Sequence, residues 1–161
     1  MKISRPAMPR TYGLHPESEG SGLLPWDWAE ARLGAARNYW IASARPDGRP
    51  HAMPVWAIWL AGAVIFGTDR KSRKAMNLAG NPFTVVHLES GDEVVILEGR
   101  ALEATDPDLL RNYAAAYKSK YAIGLDLTDK GNVTLMVRPE RAFAWREADF
   151  PSSATRWEFE P

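Results

Sequence analysis

The stretch from Pro50 to Leu60 is largely apolar on both of the faces an extended chain would present, and this limits the possible folds more than any other feature. In strand geometry His51, Met53, Val55, Ala57 and Trp59 share one side, while Ala52, Pro54, Trp56, Ile58 and Leu60 share the other. The run Val94-Val95-Ile96-Leu97 has the same property. A sheet with one wet face alternates apolar and polar residues, so these strands need cover on both sides. Parallel strands between helices would supply it, but most connections between the strand-like segments are too short for crossovers. A barrel filled inside and covered outside by helices, a ligand or a second subunit satisfies both constraints. A homodimer is the simplest cover, two-fold association being the commonest assembly.

The remaining elements follow from turn and cap chemistry. Residues 1–22 hold Pro6, Pro9, Gly13, Pro16, Gly20 and Gly22 with few apolar residues between them, which predicts an extended N-terminal arm, either loose or wrapped on a partner subunit. Residues 23–161 then form a single domain. Asp27, with Glu30 three residues on, reads as the N-cap of a first helix that fades near Arg37-Asn38. Strands are expected at Tyr39–Ala44, Pro50–Leu60 and Ala63–Thr68, with Pro46-Asp47-Gly48-Arg49 and Ala61-Gly62 as turns. A short helix from about Ser72 to Ala79 precedes strands at Phe83–Glu89 and Glu93–Thr105. Asp106-Pro107 caps a helix reaching about Lys120. Strands at Val133–Arg138, Ala142–Glu147 and Thr155–Phe159 complete the list.

With 161 residues, 20 basic against 20 acidic side chains and no cysteine, several function classes fall away. Disulfides, thiolate metal sites and cysteine nucleophiles are excluded. Charge neutrality argues against nucleic acid as a partner. No apolar run approaches the roughly 18 residues of a membrane span, and the expected setting is the cytoplasm. His15, His51 and His87 lack metal-ligand spacing, so no metal is expected; His87 reads as a structural mid-strand histidine. Ser21 lies between two glycines with no catalytic partner, and no GxSxG, GxGxxG or Walker A pattern occurs.

The chemically richest segment is Thr68-Asp69-Arg70-Lys71-Ser72-Arg73-Lys74, with four cations in five positions at a strand-to-helix junction. Ser72 capping the helix leaves N–H groups and the positive dipole end facing outward, and cations beside them suit a phosphate. The plain alternative is a solvated basic loop. Pro50 and Pro54 place their strand at an edge or bulge, with free backbone groups for a planar ligand. His51, close to that strand, is a weak candidate for proton relay. Trp40, Trp56, Trp59, Trp145 and Trp157 are read mainly as core. The helix end Tyr117-Lys118-Ser119-Lys120-Tyr121 is read as dipole-complementing lysines only.

These residues together resemble the pyridoxamine 5′-phosphate oxidase-like superfamily of split β-barrel flavin and deazaflavin proteins, over about residues 26–160. The likeness is carried by Tyr-Trp-x5-Asp-Gly-Arg-Pro-His-x2-Pro-Val-Trp (Tyr39 to Trp56), Thr-x3-Ser-Arg-Lys (Thr68 to Lys74), Asn-Leu-x2-Asn-Pro (Asn77 to Pro82), Glu-Gly-Arg (Glu98 to Arg100) and Thr-Arg-Trp (Thr155 to Trp157). It implies a mainly β fold, a six-stranded antiparallel Greek-key barrel, homodimeric, with cofactors at the subunit interface. It further implies that Thr68, Ser72, Arg73 and Lys74 hold the cofactor phosphate, and that the backbone of Met53, Pro54, Val55 and Trp56 borders the ring. True pyridoxamine phosphate oxidases carry arginine where this chain has Met53, lysine at Ile58 and glutamine at Val94, so vitamin B6 oxidation is not expected. The Pro-His-x2-Pro-Val-Trp strand and the terminal Thr-Arg-Trp look more like reductases using coenzyme F420, which favours F420 over FMN. The implied activity is hydride transfer between cofactor and a small organic acceptor. The alternatives are a non-catalytic barrel binding a cofactor, haem or lipid-like ligand, and a structural dimerisation module.

Overall fold

The computed structural model describes residues 1–16 and 22–160. Nine strands form one antiparallel sheet: β1 (Lys2–Ser4), β2 (Tyr39–Ala44), β3 (Pro50–Val55), β4 (Ile58–Leu60), β5 (Ala63–Asp69), β6 (Phe83–His87), β7 (Glu93–Glu103), β8 (Asn132–Arg146) and β9 (Thr155–Glu158). Four helices accompany them: α1 (Trp26–Ala35), α2 (Arg73–Gly80), α3 (Pro107–Tyr121) and the single turn α4 (Phe150–Ser153). The main path runs β1-β9-β8-β7-β6-β2-β3, and β5 branches from β8 to pair with β4. The mainly β antiparallel class and the split, unclosed barrel hold, but among the described residues the sheet has nine strands instead of six.

Three differences separate these nine strands from the eight strand segments expected along the chain. The expected strand Pro50–Leu60 divides at Trp56-Ala57, because the backbone groups of Ala57 bond to α3 and leave the ladder. The expected pair of strands at 133–138 and 142–147 is one strand, β8, carrying a bulge. Its partner β7 shifts register between Glu98, opposite Arg141, and Gly99, opposite Pro139, so Glu140 is the extra residue. A side chain at Gly99 would put its Cβ 2.2 Å from the Arg138 carbonyl oxygen, so only glycine lets the two strands meet there.

The third difference lies in the arm. Lys2–Ser4 pairs with β9 of the same chain. Arg5 donates to the carbonyls of Ser152 and Ala154, the Tyr12 ring lies 6.3 Å from that of Phe150, and the His15 N–H donates to Pro151 at 2.9 Å. The first sixteen residues therefore clasp the C-terminal segment of their own chain. Ser21 lies outside the described residues.

The barrel core is built from Tyr39, Ile41, Phe66, Val86, Leu97, Val137 and Trp157, all fully buried, with Ala29 and Leu33 of α1 sealing one end. A smaller cluster of Ile58, Ile65, Tyr113 and Tyr121 lies beneath α3. Helix α1 begins one residue before Asp27, with Pro25 at the cap position and no side-chain cap bond. Asp27 thus sits inside the first turn instead of capping it. Trp26 takes the helix start inward, packing edge-on against Trp157 and Phe159 with ring centroids at 5.3 and 4.8 Å. The caps of α2 and α3 match expectation: Ser72 accepts from the Ala75 N–H, and Asp106 accepts from those of Asp108 and Leu109.

Candidate functional site

Strand β5 delivers the chain to the basic corner and α2 leads away from it. The Thr68 and Ser72 hydroxyls lie 3.0 Å apart, and Ser72 Oγ accepts from Ala75 N at 3.3 Å. The N–H groups of Arg73 and Lys74 head the helix with no backbone partner. The cations divide into two groups. Arg70 is spent on Glu103 and on the Lys130 carbonyl, the latter at 3.2 Å. Among the described residues no carboxylate pairs with Lys71, Arg73 or Lys74. Lys74 is half-buried, and that burial holds its ammonium below the usual lysine range. Two hydroxyls, two unbonded N–H groups and three unpaired cations at a helix start fit a phosphate.

Among the described residues strand β3 pairs only with β2, so its outer edge is open, as two prolines require. Met53 and Pro54 are exposed and Val55 is half-buried, so this stretch offers backbone and apolar surface to a flat partner. Helix α2 is tied to the same strands. Asn77 of α2, almost fully buried, donates to Ser43 Oγ at 3.1 Å, and Ser43 lies opposite His51 in the β2–β3 ladder. The basic corner and the open strand are therefore tied together through this buried hydrogen bond and the β2–β3 ladder. His51 is half-buried there, and its Nδ1 has no hydrogen-bond partner. His87 stacks on Trp40 with its Nδ1 2.8 Å from the Leu88 oxygen, a structural role as read from the sequence.

The end of β3 is set by Tyr121 and Lys120, so the helix end expected only to complement its dipole has a wider part. The Tyr121 ring stacks flat on Trp56, with centroids 4.7 Å apart and planes 2° from parallel, and Arg37 covers Trp56 at 5.2 Å. The Tyr121 hydroxyl accepts from the Ala57 N–H at 3.0 Å and lies 2.8 Å from the Ala57 carbonyl oxygen, to which Lys120 also donates at 3.2 Å. One face of the half-buried Trp56 ring is thus taken up by this stack. The available sequence signal was the four-residue spacing of Tyr113, Tyr117 and Tyr121, which puts three rings on one helical face. Tyr121→Phe keeps the stack but leaves the Ala57 N–H and the Arg37 carbonyl without this partner, and should cost about 1–3 kcal/mol of folding stability. Chemical denaturation measures this directly; an unchanged midpoint would remove Tyr121 from the clamp.

A cavity of about 420 Å³ opens between β5, β8 and α3, with Gly67, Thr68, Tyr113, Tyr117 and the loop 124–130 among its lining. Thr68 thus faces both this cavity and Ser72. The terminal Thr-Arg-Trp turns out to face inward. Thr155 and Trp157 are fully buried, Thr155 Oγ1 accepts from Leu24 N at 2.8 Å, and Arg156 pairs with Glu158. Among the described residues no three His, Asp or Glu side chains converge on a metal position, and no helix is long and apolar enough to cross a membrane.

Residues 27–146 match the family described as pyridoxamine 5′-phosphate oxidase. No curated protein matches the chain. Among solved structures, an F420 reductase superposes with a TM-score of 0.57 at 23% identity, covering 70% of this chain and 94% of the other. A FAD-binding protein from Mesorhizobium loti gives 0.60 at 20% identity, covering 83% and 94%. A heme binding protein from Mycobacterium smegmatis gives 0.63 at 22% identity, covering 76% of this chain but 55% of the other.

Proposed function

The chain belongs to the pyridoxamine 5′-phosphate oxidase family, and from that premise we propose that it is a cytoplasmic, homodimeric oxidoreductase holding a flavin-type cofactor by its phosphate, with F420 favoured over FMN. The observation that carries the reading is the corner at Thr68, Ser72, Arg73 and Lys74, where cations stand beside a helix start without carboxylate partners. Buried or half-buried ammonium groups are normally paired, and an external anion supplies the missing partner. The bound cofactor would supply the hydride chemistry, and the protein anchors, orients and shields it.

Each part of the chain has a task in this reading. Arg73 and Lys74 grip the phosphate, with the Thr68 and Ser72 hydroxyls completing its hydrogen bonds. The backbone of Met53, Pro54, Val55 and Trp56 lies along the ring. A second copy covers the open edge of β3. His51, whose Nδ1 is unbonded, is the nearest histidine able to carry a proton to the reduced product. No protein nucleophile is needed. The preference for F420 rests on the likeness of the Pro50 to Trp56 strand to F420-using reductases.

The test is to titrate FMN and F420 separately into the purified protein, following tryptophan fluorescence. Micromolar binding of at least one is expected, and binding of neither would refute the proposal. The rival reading, a non-catalytic carrier on the same barrel, is favoured by the heme-binding neighbour. It predicts that bound, reduced cofactor is reoxidised by candidate acceptors no faster than in buffer.

Lys74 also gives the affinity a pH signature. Burial favours its neutral form, whereas a bound phosphate favours the ammonium, so binding takes up protons on the alkaline side. Affinity should fall as pH rises through the depressed Lys74 value, earlier than for a solvated lysine. Lys74→Arg, always charged, should flatten the profile. A wild-type profile flat through the alkaline range would mean Lys74 does not touch the anion.

A further inference from the structure

The cavity beside Thr68 has a composition that selects among substrates. Its lining includes Thr68, bonded to the phosphate corner through Ser72, and Tyr117, whose ring meets Trp56 at 6.4 Å. It therefore adjoins both the basic corner and the residues packed on the end of β3. Its volume of about 420 Å³ is in the range of small-molecule pockets. Tyr113 and Tyr117 form an aromatic wall with ring centroids 5.8 Å apart, and Leu110 and Leu125 add apolar surface. The Tyr113 side chain is fully buried, and its hydroxyl lies against Gly67 without forming a good hydrogen bond.

The charged side chains that line the cavity itself, apart from the neighbouring basic corner, leave little to attract an anion. Arg70 is committed to Glu103 and to the Lys130 carbonyl. Asp126 accepts from the Thr128 N–H at 2.8 Å, and Asp129 accepts from the Gly131 N–H and Asn132 Nδ2, both at 2.8 Å. Lys130 is exposed at the rim and its ammonium makes no contact with these carboxylates. With Arg70 and Glu103 neutralising each other, Asp126 and Asp129 face Lys130 alone. A carboxylate or phosphate entering here meets a net negative rim, whereas a buried hydroxyl and aromatic rings suit an uncharged planar molecule with a hydrogen-bond acceptor.

We infer that this cavity binds uncharged planar aromatic molecules and rejects their carboxylate analogues, making it the acceptor pocket of the oxidoreductase. The assignment as acceptor pocket rests on the proposed function, whereas the binding preference does not. The experiment uses the protein without added cofactor and a matched pair of probes, 4-nitrobenzamide and 4-nitrobenzoate, each followed by quenching of protein fluorescence. The amide is expected to bind at least about tenfold more tightly, a difference of one hydrogen bond's size or more. Tyr113→Phe should weaken the amide by about tenfold, and Leu125→Trp, which fills the cavity from its half-buried edge, should abolish binding. Equal or tighter binding of 4-nitrobenzoate to the wild-type protein, or an amide affinity untouched by Leu125→Trp, would overturn the inference. Failure of FMN and F420 to bind would instead refute the proposed function and leave the probe preference standing.

Discussion

Replacing Arg73 and Lys74 together by alanine is expected to weaken cofactor binding by about a hundredfold or more while leaving the fold intact. A hydrogen bond to a charged group contributes roughly 1.5–3 kcal/mol, and two such groups are removed, so about 3–6 kcal/mol is at stake. Little of that is shared with folding. Arg73 is exposed and Lys74 half-buried, and among the described residues neither side chain makes an ion pair. Arg70→Ala is the matched control: it sits in the same loop, but its guanidinium serves Glu103. It should change cofactor affinity far less. Fluorescence titration of the three proteins measures the difference. If the double variant binds as the parent does, the basic corner is a solvated loop after all.

Gly99→Ala should be the most damaging single methyl in the barrel. The new Cβ would lie 2.2 Å from the Arg138 carbonyl oxygen and 3.4 Å from Val137 Cγ1, and the first of these is backbone that cannot rotate away. Either β7 and β8 separate at the bulge or the register slips, and both disturb the longest ladder in the sheet. Overpacking of this kind costs about 1–3 kcal/mol, and a backbone clash belongs at the upper end. For a domain of this size the melting temperature should fall by roughly 5–10 °C. Gly91→Ala, where nothing lies within 4 Å of the added carbon, is the comparison and should be near neutral. Equal melting temperatures for the two variants would show that the bulge is soft.

The parts of this molecule legible in the sequence are those fixed by local chemistry. Ser72 and Asp106 cap helices because a side-chain oxygen meets the first free N–H groups, whatever the rest of the fold does. The edge position of β3 followed from Pro50 and Pro54, which remove ladder donors. What could not be read depends on contacts between distant segments. The break at Ala57 exists because Tyr121, 64 residues away, occupies its N–H and carbonyl groups. The continuity of β8 through Pro139 depends on Gly99 of the facing strand accepting a bulge. The clasp of the N-terminal segment required knowing that β9 would present an open edge to Lys2–Ser4. Within the candidate site, the cations were visible as a run, but which of them stay unpaired was not. Arg70 and Arg73 look alike until Glu103 is brought beside one of them.

Parallel titrations of FMN and riboflavin into the purified protein put the main idea to its sharpest trial, since the two ligands share a ring and differ in a phosphate. Anchoring at Ser72, Arg73 and Lys74 predicts that riboflavin binds at least about a hundredfold more weakly than FMN. Riboflavin binding as tightly as FMN would contradict the account.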